Sequence, residues 1–218
     1  MRNPLFLLCL LCLSFSIQAQ SIPHPRDAFG HEVGADYKLA DYDQMVKYYE
    51  QLAASTDRVQ MIEIGKSVMG RSMKLLFISS EENMKQLDKW KEISTKLARA
   101  RVPEEEARKL SYEGKAIVWI DGGMHATERA GHQMTPELAW RIASEESVDM
   151  QKIRDNVITL LMPMMNPDGV DIVTDWYRQN LGTPFETSGP PILYQKYVGH
   201  DNNRDWFMNN VPETRAVT

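Results

Sequence analysis

The chain has 218 residues, 43% of them hydrophobic and 25% charged, with 25 lysines and arginines against 30 aspartates and glutamates and a net charge of −5. That length and apolar content are enough for one domain with a substantial core. The acidic balance offers nothing to attract a polyanion, so nucleic acid is excluded as an expected partner.

Met1-Arg2-Asn3, an apolar run from Leu5 to Ile17 and then Gln18-Ala19-Gln20 have the layout of an export signal, with cleavage expected near Ala19 or Gln20. The run is shorter than the roughly 20 apolar residues that cross a hydrocarbon core, so no stable membrane anchor is expected and the mature chain is read as secreted or periplasmic. Cys9 and Cys12 both lie inside the run, which leaves the mature chain without a disulfide and suits a bacterial periplasm or outer surface. Loss of Arg2 with the signal leaves 24 basic residues against 30 acidic, a net of −6.

Residues 21–38 form a polar, proline-containing leader. Apolar residues then recur at Tyr42, Met45, Val46, Tyr49, Leu52 and Ala53, the spacing of a helix, with Asp41 and Gln44 as a capping pair at its start. Val59 to Ile64 and Met73 to Ser79 read as strands around the Met69-Gly70-Arg71 turn, hence a hairpin. Residues 81–113 are rich in Lys, Glu, Ala and Leu and read as an inserted helical pair, the second helix starting at Pro103, with its charges on a solvated face. Ala116 to Ile120 is a continuous apolar run and predicts a strand buried on both faces. A helical pattern through Leu138, Ala139, Ile142 and Ala143 and a second buried run, Val157 to Met162, complete a strand, helix, strand order. That order predicts a parallel crossover and an α/β sheet covered by helices. From Asn166 to Pro212 the chain is turn-rich and poorly periodic, which predicts a long functional loop.

The sharpest chemical signal is Asp121-Gly122-Gly123-Met124-His125-Ala126-Thr127-Glu128 at the end of the first buried strand. Ligands of open α/β sheets collect beyond the carboxyl ends of strands, so His125 and Glu128 are delivered to the expected active edge. Zinc accepts imidazole nitrogen and carboxylate oxygen, and two such side chains three residues apart on a turn entering a helix can converge on one ion. A bare His-x-x-Glu occurs often by chance; the preceding strand and the glycine pair supply the context that the motif requires. His132 would share a face with both if the segment were continuously helical. Pro136 disturbs that helix, and a lone helical histidine is more often structural.

These residues, with Asn166-Pro167-Asp168-Gly169 and Gly199-His200-Asp201-Asn202-Asn203-Arg204-Asp205-Trp206, resemble consecutive landmarks of the M14 zinc carboxypeptidases, in matching order and rough spacing. The resemblance covers most of the chain after residue 40 and implies a mixed, largely parallel central sheet flanked by helices, with residues 39–218 as part of a catalytic domain. It implies one Zn2+ ion held by His125 and Glu128, and a peptide substrate whose free C-terminal carboxylate is bound by Asn203 and Arg204. A planar guanidinium suits that task, because it donates two parallel hydrogen bonds to one carboxylate. Arg178, in Trp176-Tyr177-Arg178, matches the arginine that polarises the scissile carbonyl and stabilises the oxyanion; its plain alternative is a surface arginine on a loop. Asp168 reads as an ordinary turn residue.

The resemblance also implies a third ligand, a histidine, beyond the Asn-Arg pair, followed by a tyrosine and a glutamate general base, none of which occurs before Thr218. Pro212 to Thr218 reads as the opening of a helix, so the expectation is a fragment of a longer metallocarboxypeptidase, itself inactive or nearly so. The competing readings are a zinc-dependent deacylase of a non-peptide amide or ester, and a catalytically dead binding protein of the same fold.

Overall fold

The computed structural model describes residues 21–196, Gly199 and residues 201–218. The export signal read over residues 1–20, with Cys9 and Cys12, lies outside the described residues, as does His200. In chain order the elements are α1 (Pro25–Phe29), α2 (Tyr42–Ser55), β1 (Val59–Lys66), β2 (Ser72–Ile78), α3 (Glu81–Met84), α4 (Leu87–Ala98), α5 (Glu104–Glu113) and β3 (Ala116–Asp121). After them come α6 (Arg129–Gln133), α7 (Thr135–Ser144), α8 (Val148–Asn156), β4 (Val157–Met162), α9 (Pro167–Asn180), a 3-10 turn (Asn202–Arg204) and α10 (Pro212–Val217). Among the described residues, no helix is long and apolar enough to cross a membrane.

The four strands form one mixed sheet in the order β1-β2-β4-β3. The β1-β2 hairpin is antiparallel, β2 pairs antiparallel with β4, and β3 runs parallel to β4 from Ala116 opposite Val157 to Asp121 opposite Met162. Parallel pairing between β3 and β4 requires a crossover, and α6 to α8 provide it. Alternation along the strands sends Leu76, Ile78 and Leu161 to one face, where α2, α7 and α9 close the main core. Met73, Leu75 and Met162 belong to the other face, against Trp206 and α10; farther along that face Trp90 and Ile93 of α4 pack with Ile158.

Helix α2 shows how local sequence and packing combine. Asp41 accepts the Gln44 backbone N–H while the Gln44 side chain accepts the Asp41 N–H, which satisfies two amides at the helix start. Met45, Tyr48, Tyr49 and Leu52 are then fully buried on one stripe. Each such side chain contributes about 1.5–3 kcal/mol by leaving water. Burial also pushes both tyrosine hydroxyls well above their ordinary range; Tyr49 bonds Thr135 Oγ1 at 2.7 Å and Tyr48 donates to Pro23 O at 3.2 Å.

Three expectations are corrected. The run Ala116 to Ile120 is not buried on both faces, because β3 is the edge strand: Ile117, Val118 and Trp119 are 38–40% exposed. The segment after Asn166 does not begin as a loop, because Asn166 caps a 14-residue helix, accepting the Gly169 N–H, with Pro167 at its first turn and Val170 and Val173 in the core. Asp168 is therefore no solvated turn residue. It is buried and accepts from Ser67 Oγ at 2.7 Å and from the Met69 N–H at 2.9 Å, pinning the β1-β2 turn to the start of α9.

Candidate metal and carboxylate site

The site forms beyond the carboxyl ends of β3 and β4. Where the strands end, the chains remain stitched together: Gly122 N–H donates to Met162 O, Met165 N–H to Gly122 O and Asn166 N–H to Gly123 O, at 2.8–3.1 Å. Helix α6 then passes so close that a Cβ at Gly122 would meet the Gly131 carbonyl oxygen at 2.6 Å. Gly123 has a φ of +68°, a left-handed conformation that favours glycine, and lies against His132. The glycine pair thus gives the chain both the room and the conformation to turn His125 and Glu128 outward.

His125 and Glu128 converge: Nδ1 and Oε1 are 3.1 Å apart. Zinc bonds nitrogen and carboxylate oxygen at about 2.0–2.2 Å, so two ligands of one tetrahedral ion stand about 3.3 Å from each other. The other ring nitrogen, Nε2, donates to Asp201 Oδ1 at 2.8 Å. A proton held on Nε2 leaves the Nδ1 lone pair facing Glu128, the tautomer that a metal ligand needs. Without a metal, a second proton on Nδ1 lets the imidazolium bridge two carboxylates. Accordingly the Asp201 hydrogen bond raises the His125 pKa, aided by Glu128 and opposed by partial burial. The Asn203 backbone N–H, and then His125, hold Asp201 below the usual carboxylate range. The separation of Nδ1 and Oε1 therefore fits two ligands of one divalent cation. Among the described residues no group of three His, Cys, Asp or Glu side chains could complete the set.

His132 stands apart from this pair. Residues 124–128 are a turn and α6 starts only at Arg129, so the continuous helix that would align the three side chains is missing. His132 is 1% exposed, and among the described residues neither ring nitrogen has a hydrogen-bond partner.

The Asn-Asn-Arg loop is brought to His125 by its own side chains. Asp201 accepts His125 Nε2–H and the Asn203 N–H through Oδ1, while its Oδ2 lies 3.6 Å from Arg204 Nη2. Asn202 Nδ2 donates to Met124 O at 2.9 Å, clamping the next residue of the loop to the residue before His125. Asn203 Oδ1 accepts from Trp206 Nε1 at 3.1 Å. Asp205 is fully buried and receives the Asn210 and Val211 N–H groups at 3.1 and 3.0 Å and the Thr214 hydroxyl, which fastens the loop to α10. The Arg204 side chain remains 66% exposed. The structure thus brings His125, Glu128 and Arg204 together through Asp201, and Asn203 adjoins them.

Arg178 is tied to another element in this structure. It lies in the last turn of α9, where its guanidinium donates at 2.7 Å to Asp41 Oδ2, Leu39 O and Gln44 Oε1. All three acceptors belong to the entry of α2, where the Asp41 cap pairs with the cation. Asp201 is the residue that sequence reasoning missed. The available signal was an acid two residues before the Asn-Arg pair, since a ligating histidine needs an acceptor for its second ring nitrogen.

The family model described as zinc carboxypeptidase, Peptidase M14, matches residues 45–216. Carboxypeptidase B of Astacus astacus is 29% identical over 172 residues, covering 76% of this chain and 44% of its own. Two solved structures share the fold: a metallo-carboxypeptidase from Burkholderia cenocepacia, 19% identical over 82% of this chain and 37% of its own with a TM-score of 0.52, and carboxypeptidase A from Helicoverpa armigera, 17% identical over 88% and 47% with a TM-score of 0.51. The chain spans less than half the length of each of these relatives. A family match running from the first core helix to α10, on an open sheet that carries His125 and Glu128 beyond its strand ends, means that this chain belongs to the zinc carboxypeptidase family.

Proposed function

We propose that this chain supplies the first two zinc ligands and the carboxylate-binding loop of a metallocarboxypeptidase, an enzyme that removes the C-terminal residue of a peptide. In this reading residues 1–20 are an export signal, residues 21–38 a leader and residues 39–218 part of the catalytic domain, with residues 81–113 a helical insertion. The observation that carries it is the placement of Asp201, whose carboxylate touches the imidazole of His125 and the guanidinium of Arg204. One residue thereby sets the separation between a metal-binding group and an anion-binding group.

Bound zinc would supply a polarised carbonyl and a water of lowered pKa. The chain's own residues orient the ligands and bind the substrate end. Asp201 holds the His125 proton on Nε2 and keeps Nδ1 aimed at Glu128. Arg204 and the Asn203 side-chain amide can donate to a terminal carboxylate, and charge-assisted hydrogen bonds of this type are the strong ones. Arg178 serves the oxyanion only if its guanidinium leaves Asp41; as placed, it braces the entry of α2.

The test is zinc affinity by competition with a chelating dye, together with hydrolysis of a peptide and its C-terminally amidated twin, in a protein extended through the implied third histidine and the glutamate. His125→Ala and Glu128→Ala should each lower zinc affinity at least a hundredfold, and Arg204→Gln should abolish the preference for the free carboxylate. Undiminished zinc content in both ligand variants would remove the site, while indifference to amidation in the parent protein would favour a deacylase.

A further inference from the structure

We infer that Trp206 is a positioning residue that orients the Asn203 side-chain amide for carboxylate binding. The inference rests on the function proposed above. An indole nitrogen carries a hydrogen and no acceptor, so Trp206 Nε1–H can satisfy only the oxygen of the Asn203 amide. The contact, at 3.1 Å, therefore fixes which way the amide faces: Oδ1 turns to the indole and the two Nδ2 hydrogens turn away from it. Among the described residues Nδ2 donates to no partner. Reversed by half a turn, the same amide would present its oxygen to a substrate carboxylate and repel it. One hydrogen bond thus decides whether Asn203 attracts or rejects the ligand.

The indole is itself held. Trp206 packs against the methionine-rich face of the sheet formed by Met73, Leu75, Met162 and Met165. The preceding residue, Asp205, is buried and fastened to α10 by Asn210, Val211 and Thr214. The ring cannot turn to follow a flipped amide without leaving that face. Orientation of the donor therefore passes from the sheet through Trp206 to Asn203, while Asp201 separately sets the distance to His125.

The experiment measures binding, by calorimetry on the zinc-loaded protein, of a short blocked peptide ending in a D-residue with a free carboxylate, alongside its C-terminal amide. Trp206→Phe keeps most of the ring packing and removes the N–H. It should weaken the free-carboxylate ligand about five- to tenfold, the worth of one hydrogen bond, with little change for the amide and none in zinc affinity. Combined with Asn203→Ala, the Trp206 substitution should have no further effect. Full additivity of the two substitutions would overturn the inference, as would equal weakening of both ligands. If Arg204→Gln also leaves the preference for the free carboxylate intact, the proposed function fails with it; if Arg204→Gln abolishes that preference, only the role of Trp206 is lost. Should Trp206→Phe not fold, hydrogen exchange of the indole N–H in the unaltered protein decides: protection is expected, and exchange at the rate of a free indole sinks the idea.

Discussion

Residues 121–128 and residues 201–206 meet at His125, yet they are held by opposite means. The first segment is fixed by backbone: three main-chain hydrogen bonds stitch Gly122 and Gly123 to the chain leaving β4, and glycine supplies the clearance under α6. The second is fixed by side chains, since Asp201, Asn202, Asn203, Asp205 and Trp206 each make a named contact. A turn held by the sheet needs few specific letters besides its ligands. A loop held by side chains needs nearly all of them, which is why Asp-Asn-Asn-Arg-Asp-Trp reads as a dense motif.

The backbone-held segment depends most on Gly122. Gly122→Ala pushes a methyl into the Gly131 carbonyl, a backbone atom that cannot swing aside, and should destabilise the fold by about 3 kcal/mol in denaturant unfolding. A loss below about 1 kcal/mol would mean that close packing does not set this turn.

His132 packs against the same segment, at Gly123. Burial, and secondarily the charge of Arg129, push its pKa from 6.5 down to about 4. Above about 6.5 the ring is neutral whether the chain is folded or not, and its contribution to stability is whole. As pH falls from there toward 4, the unfolded chain takes up a proton that the folded one refuses, so stability drops by on the order of 3 kcal/mol. His132→Leu should flatten that acid slope; an unchanged slope would place the buried ring in contact with water.

The smallest of the three effects tests the loop. Asp205→Asn replaces a buried carboxylate that accepts two N–H groups and a hydroxyl, and should cost roughly 2 kcal/mol. Hydrogen exchange at Asn210 and Val211 should speed up while the amides of Gly122 and Met165 stay protected. Equal loosening of both segments would show that they are not held independently.

Much of this was legible in particular residues. Asp41 and Gln44 announced the start of α2, and Gly122-Gly123 before His-x-x-Glu announced a turn at a strand end, because caps and glycines act over a few residues. Asn166-Pro167 was equally legible as a cap followed by a first-turn proline, but turn chemistry and helix-start chemistry share the same letters. The strand Ala116 to Ile120 misled for a different reason: an apolar run records that a strand is suited to burial, not which neighbours lie on each side.

By itself the sequence determined the pairing of His125 with Glu128, the strands that present them and the Asn203-Arg204 motif, since each depends on side chains close in the chain. Only the tertiary structure decided that Asp201 takes the second nitrogen of His125 across 76 residues, that Arg178 turns to Asp41 instead, and that β3 lies at the sheet edge. Those outcomes depend on which elements meet in space: the acid before the Asn-Arg pair marks an acceptor, but no period or spacing in the chain tells which distant donor it meets.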